Sequence, residues 1–135
     1  MVIELNKEYK IKFKQTIEGD WFGNLLINEI EHEFTFDKVE NIDWVEIKNR
    51  LLYFIYHHNK IIEMTNNGIK NYLNFSLGWK QIEAYDLECV IIPLNNDRQD
   101  DFIIHPIFII DPYVHWYVYI YDDDDGPKLR KVIRE

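Results

Sequence analysis

The sequence predicts an α+β fold, in which an N-terminal hairpin and a C-terminal strand meander form an antiparallel sheet and a central helix pair packs on one face. Three observations predict it. Apolar and polar residues alternate with period two through residues 9–36. Apolar residues then recur at spacings of three and four from Trp44 onward. From Leu87 to the end, β-branched and aromatic residues dominate short runs separated by Asn, Asp, Gly and Pro.

The first hairpin has a register suggested by charge. Lys14, Lys12 and Lys10 can stand opposite Glu29, Glu31 and Glu33. The other face then pairs Ile17 with Leu26, Gln15 with Asn28, Phe13 with Ile30, Ile11 with His32 and Tyr9 with Phe34. Opposite charges directly across strands attract, and a one-residue slip would send every side chain to the wrong face. Asn41 or Asp43 opens the next element, since Asp43 and Glu46 have the spacing of an N-cap and its N3 partner. Trp44, Ile47, Leu51, Ile55 and His58 share its apolar stripe, widened by Val45, Leu52 and Phe54. Near Asn59 the phase changes, and Ile61, Ile62, Thr65, Ile69, Tyr72, Leu73 and Phe75 mark a second helix that ends before Gly78. Asn66, Asn67 and Gly68 are poor helix residues and predict a break or kink within it. Strands follow at 87–94, 102–110 and 113–121, and residues 128–134 fold back on the last of these. In that hairpin Ile120 meets Leu129, Val118 meets Lys131 and Trp116 meets Ile133; on the other face Tyr117, Tyr119 and Tyr121 meet Val132, Arg130 and Lys128.

A chain of 135 residues fits one domain, spanning 1–135, and 47% apolar residues supply its core. The formal charge is −9, from 15 Lys and Arg against 24 Asp and Glu, with no basic cluster. Binding to nucleic acid or an anionic membrane draws on local positive charge, so neither partner is expected. An acidic surface speeds encounter with a basic protein, and it is equally the surface of an ordinary acidic cytosolic protein. The single Cys89 suits a reducing compartment, the first residues lack a signal-peptide pattern, and no apolar run approaches about 18 residues. These features predict a cytoplasmic protein.

No cofactor, metal or catalytic signature emerges. The turn Asp122-Asp123-Asp124-Asp125-Gly126 misses the ligand spacing of a calcium loop and reads as an acidic hairpin turn. Adjacent His57 and His58 point about 100° apart on a helix, whereas zinc-binding helices use residues four apart. His32 falls on the inner face of the hairpin, and His105 and His115 fall in strands. Leu87, Cys89 and Ile91 alternate in a strand, which makes Cys89 a buried, inert thiol; a triad of Cys89, His115 and Asp111 has no flanking signature. The candidate partner-binding residues are aromatic. Tyr117, Tyr119 and Tyr121 beside Arg130 and Lys128 combine rigid aromatic area with cations, as interfaces do, unless the helices cover that face. Trp21 and Phe22, between Gly19 and Gly23, either tuck onto the core or reach for a partner.

The order of hairpin, paired helices over 41–75, and closing strands with His115-Trp116-Tyr117-Val118-Tyr119 and Asp125-Gly126 resembles small acidic bacterial domains of unknown function. These include many immunity proteins of polymorphic toxin systems. The resemblance implies a non-catalytic protein that neutralises a cognate, basic toxin by covering its active site or an adjacent surface. It carries no residue over as functional. The alternatives are a small enzyme or ligand-binding protein with a pocket between helices and sheet, using His105, His115, Asp111 and Tyr117, or a self-assembling module that dimerises through a sheet edge.

Overall fold

Two tight turns, rather than one long hairpin, organise the N-terminal strands in the computed structural model, which describes residues 1–72, 87–95, 98–107 and 115–135. Strands β1 (Val2–Glu4) and β2 (Lys10–Lys12) form a small antiparallel sheet with Ile3 opposite Ile11 and Glu4 opposite Lys10. Next come β3 (Lys14–Gln15), β4 (Trp21–Ile27) and β5 (Ile30–Phe36), where β4 and β5 join through Asn28 and Glu29. Both of these turn residues have positive φ, 49° and 68°, the geometry of the two-residue hairpin turns that match strand twist.

The expected lysine–glutamate ladder is therefore absent. Glu31 stands opposite Leu26 and Glu33 opposite Asn24, while Lys14 stands opposite Phe22. The observed register turns Trp21, Leu25 and Ile27, with Phe36 and His32 opposite the first two, toward the core on one face. Exposed cross-strand ion pairs contribute about 0.2–1 kcal/mol each, less than burying a single large apolar side chain. Ile17 and Leu26, expected to pair inward, are instead 103% and 64% exposed. Gly23 lies where β2 crosses β4, and a Cβ there would stand 2.8 Å from the Lys12 carbonyl oxygen.

Helix α1 (Trp44–Tyr56) begins where the Asp43 side chain accepts hydrogen bonds from the backbone N–H groups of Val45 and Glu46, as the capping pattern predicts. It ends at His57, whose N–H returns to Tyr53 and Ile55 carbonyls, and α2 (His58–Tyr72) follows at once. The predicted break at Asn66–Gly68 does not occur. Helix α2 runs through it, because Gly68 is where the helix meets the last strand: a Cβ there would lie 3.1 Å from Val132 and 3.3 Å from Leu129. The expected helical positions Leu73 and Phe75, and the stop before Gly78, lie outside the described residues.

Strands β6 (Leu87–Ile91), β7 (Phe102–Ile107), β8 (Trp116–Asp123) and β9 (Gly126–Arg134) complete a seven-stranded sheet in the order β3-β4-β5-β6-β7-β8-β9. The two strand groups thus share one sheet. It is antiparallel except for β5 and β6, which run parallel because the helix pair carries the chain across between them. The helices cover one face. The Phe54 ring packs edge-on against Phe34 at 5.1 Å and Phe102 at 5.3 Å, and Phe54, Ile47, Leu51 and Ile61 are fully buried. No helix among the described residues is long and apolar enough to cross a membrane.

Candidate functional site

The face turned away from α1 and α2 follows from period two. Across all seven strands, successive partners trace one row: Lys14, Phe22, Thr35, Ile91, Ile103, Tyr119 and Lys131. A second row runs Asn24, Glu33, Cys89 and His105, with the Tyr117 ring against His105 at 4.8 Å. From Phe22 to Tyr119 the first row is half-buried and, apart from Thr35, apolar or aromatic, and it carries a lysine at either end. Neither described helix packs on this face, where Tyr117, Tyr119 and Tyr121 lie half-exposed.

Arg130 reaches this face by a bulge. The predicted β8–β9 register holds from the turn to Ile120 opposite Leu129, then slips by one residue between Tyr119 and Ile120. Beyond the slip Tyr119 faces Lys131, Tyr117 faces Ile133, Val118 faces Val132 and Trp116 faces Arg134, each one position past the expected partner. Arg130 is the unpaired residue. It bonds both oxygens of buried Asp100, at 2.7 and 2.6 Å, and lies 5.2 Å over the Tyr119 ring, with Lys131 Nζ 4.6 Å from the same ring. The bulge and the cations Lys128, Arg130, Lys131 and Arg134 blunt the β9 edge against pairing with a second strand.

Trp21 and Phe22 part company. Trp21 tucks onto the core, edge-on to Trp44 at 5.2 Å and stacked on Phe36 at 6.3 Å, whereas Phe22 is half-buried on the face away from the helices. His105 and His115 stack at 5.3 Å beside Tyr117, so three of the four groups of the enzymatic alternative do converge; Asp111 lies outside the described residues. Burial lowers the His105 pKa, helped by neighbouring His115 and opposed by the Trp116 backbone. Cys89 is half-buried rather than buried, and it stands opposite His105 rather than His115.

A pair that the sequence gave no sign of lies beneath the other face. His32 of β5 and His58 at the start of α2 meet Nε2 to Nε2 at 2.7 Å, the first fully buried and the second 2% exposed. Asn28 donates its amide N–H to His58 Nδ1 at 3.1 Å, so His58 must donate from Nε2 to His32. Both rings are neutral in this arrangement. Burial, then the neighbouring His58, pushes the His32 pKa down to about 3, and burial lowers that of His58. The residues are 26 apart in sequence and meet only because α2 packs over β5.

Also between helix and sheet, buried Arg50 donates to the carbonyls of Pro93 and Asp101, lies 5.6 Å over Phe102, and binds the β6–β7 connection to α1. Burial lowers its pKa to about 10. Tyr53 donates its hydroxyl to Asp122 at 2.7 Å; burial, then this bond, raises the phenol's pKa. The acidic turn is thus tied to α1. Gly126, with φ of 115°, closes it. Among the described residues no group of three or more His, Cys, Asp or Glu is placed to hold a metal ion.

No family model, curated protein or solved structure matches the chain. The class that the coordinates define is architectural: an α+β protein with a helix pair over one face of a seven-stranded, mostly antiparallel sheet.

Proposed function

We propose that this protein is a non-catalytic protein-binding module that engages its partner with the face of the sheet opposite the helices. The observation that carries this reading is the half-buried row through Phe22, Thr35, Ile91, Ile103 and Tyr119, flanked by Tyr117, Tyr121 and Arg130. Aromatic rings on a rigid sheet offer large contact area with little side-chain entropy to lose, and Arg130 is held in place by Asp100 before any partner arrives. The resemblance to immunity proteins supplies the kind of partner: a bacterial toxin covered and silenced in the cytoplasm. The −9 charge supports a basic one, since carboxylates outside the face would steer it at long range.

The test is a pull-down with tagged protein from its native lysate at about 50 mM and about 200 mM salt, run in parallel with Tyr119→Asp. One basic partner, weakened by salt and lost with the variant, is expected. A partner retained equally by Tyr119→Asp would move the interface off this face, and recovery of nothing specific at low salt would overturn the binding-module reading.

A further inference from the structure

A chain of hydrogen bonds runs from the surface to the core through Asn28, His58 and His32. Asn28 in the β4–β5 turn and Asn59 on α2 are exposed, whereas His58 and His32 are buried. Asn28 Nδ2 lies 3.1 Å from His58 Nδ1 and 3.4 Å from Asn59 Oδ1, and the two imidazole Nε2 atoms lie 2.7 Å apart. With Asn28 donating to its Nδ1, neutral His58 carries its proton on Nε2. His32 accepts that proton's bond and, as a neutral ring, carries its own proton on Nδ1.

This chain can take one more proton without moving the backbone, and only one. Its two basic lone pairs belong to His58 Nδ1 and His32 Nε2. A proton on His32 Nε2 would set one N–H against another across 2.7 Å, which only the withdrawal of α2 from β5 relieves. A proton on His58 Nδ1 meets a side-chain amide instead. Turning Asn28 over replaces its N–H with its oxygen, which accepts from the new N–H. That oxygen then faces Asn59 Oδ1, so the exposed Asn59 amide turns over too and donates to it. Each bond of the chain is kept. Protons also reach this end first, because His58, Asn28 and Asn59 line a groove between the turn and α2, while His32 sits behind His58 against the rings of Phe34 and Phe54.

The surroundings set the balance between the two states. On β4 the residue opposite His32 is Leu25, and α1 presents Phe54 to both histidines. On β6 the position opposite His32 is held by Glu88; Glu29 follows Asn28 in the turn, His57 precedes His58, and Glu63 and Lys70 of α2 share the groove lining. Acidic residues outnumber the one lysine and favour a charged ring, whereas burial opposes it and lowers the pKa of both histidines. We propose that Asn28, Asn59, His58 and His32 form a proton-operated latch between the β4–β5 turn and the start of α2: one proton, taken on His58 Nδ1, turns both amides over with the latch shut, and a second, on His32 Nε2, opens it. The latch lies on the helix side of the sheet and does not depend on the proposed partner face.

The test is an NMR titration of the intact nitrogen-15-labelled protein from about pH 7.5 to about pH 4, following the histidine ring nitrogens and the side-chain amides of Asn28 and Asn59. At neutral pH the proton is expected on Nε2 of His58 and on Nδ1 of His32. On acidification His58 alone should become imidazolium, with a midpoint below the ordinary 6.5, and both amides should shift with that midpoint. His32 should stay neutral for as long as the native spectrum lasts. Asn28→Asp keeps the size and suits the positive φ of the turn but can only accept, so it should raise the His58 midpoint by at least about one pH unit. A proton on His58 Nδ1 at neutral pH overturns the inference, as do two rings charging together in a native spectrum or amides indifferent to His58; these readings come from the parent protein and need no variant. A midpoint unmoved by Asn28→Asp overturns it as well.

Discussion

The two faces of one sheet are built from the same strands and differ in what alternate residues can tolerate. The helix-side face is finished with phenylalanine and aliphatic residues at or near zero exposure, among them Phe34, Phe36, Phe102 and Val118. The far face carries tyrosine, half-buried isoleucine and lysine at the neighbouring positions. Buried polar groups between the first face and the helices are anchored: His32 to His58, and Arg50 of α1 to two backbone carbonyls. On the second, Tyr117 and Tyr119 keep water access at no structural loss. Stability therefore resides on the covered face, and the recognition proposed for the other would be separable from it.

Phe54→Ala should break the covered face most. Its ring touches Phe34, Phe102, His32 and His58, and its removal should lower unfolding free energy by about 3–5 kcal/mol in urea titration. Arg50→Met comes next. It keeps the packed stem but strands the Pro93 and Asp101 carbonyls, for a loss of about 1–3 kcal/mol by the same assay.

The His32 pair gives the covered face a pH dependence. An unfolded histidine binds its proton near pH 6.5, whereas folded His32 resists protonation down to about 3. The unfolded state thus holds more protons between these values. Stability should be full above pH 6.5 and fall as pH drops, by up to about 1.4 kcal/mol per unit for this one group, and His58 and His105 act in the same direction. Urea midpoints measured from pH 7.5 to 5 should show this decline, and His32→Leu should flatten it; an unchanged slope would place the titration elsewhere.

Tyr119→Ala is the smallest expected effect on folding. With its ring half-exposed and its contacts limited to side chains such as Arg130 and Lys131, it should shift stability by less than about 1 kcal/mol. A loss as large as that of Phe54→Ala would mean that the two faces are not separable.

The β8–β9 hairpin was legible because its turn is short: Asp124 and Asp125 fix the pairing of Asp123 with Gly126, and alternation carries it outward as far as Ile120. The slip beyond was not, since it answers to Asp100, thirty residues from Arg130. The N-terminal strands were misread for a related reason. Their lysine–glutamate spacing suggested a single register, but surface charge pairs are weak, and the choice fell to whichever turn buried Trp21, Leu25, Ile27 and Phe36 together.

By itself the sequence determined what depends on neighbours along the chain: the Asp43 cap, the buried positions Ile47, Leu51 and Phe54 of α1, the turn and first pairings of the last hairpin, and the α+β class. Tertiary structure alone decided the parallel β5–β6 pairing, the unbroken course of α2 past Asn66, and the meeting of His32 with His58. It also decided which face the helices left open. Each of these turns on burial shared between segments far apart, whose energy exceeds local propensity and surface charge and has no signature in either segment alone.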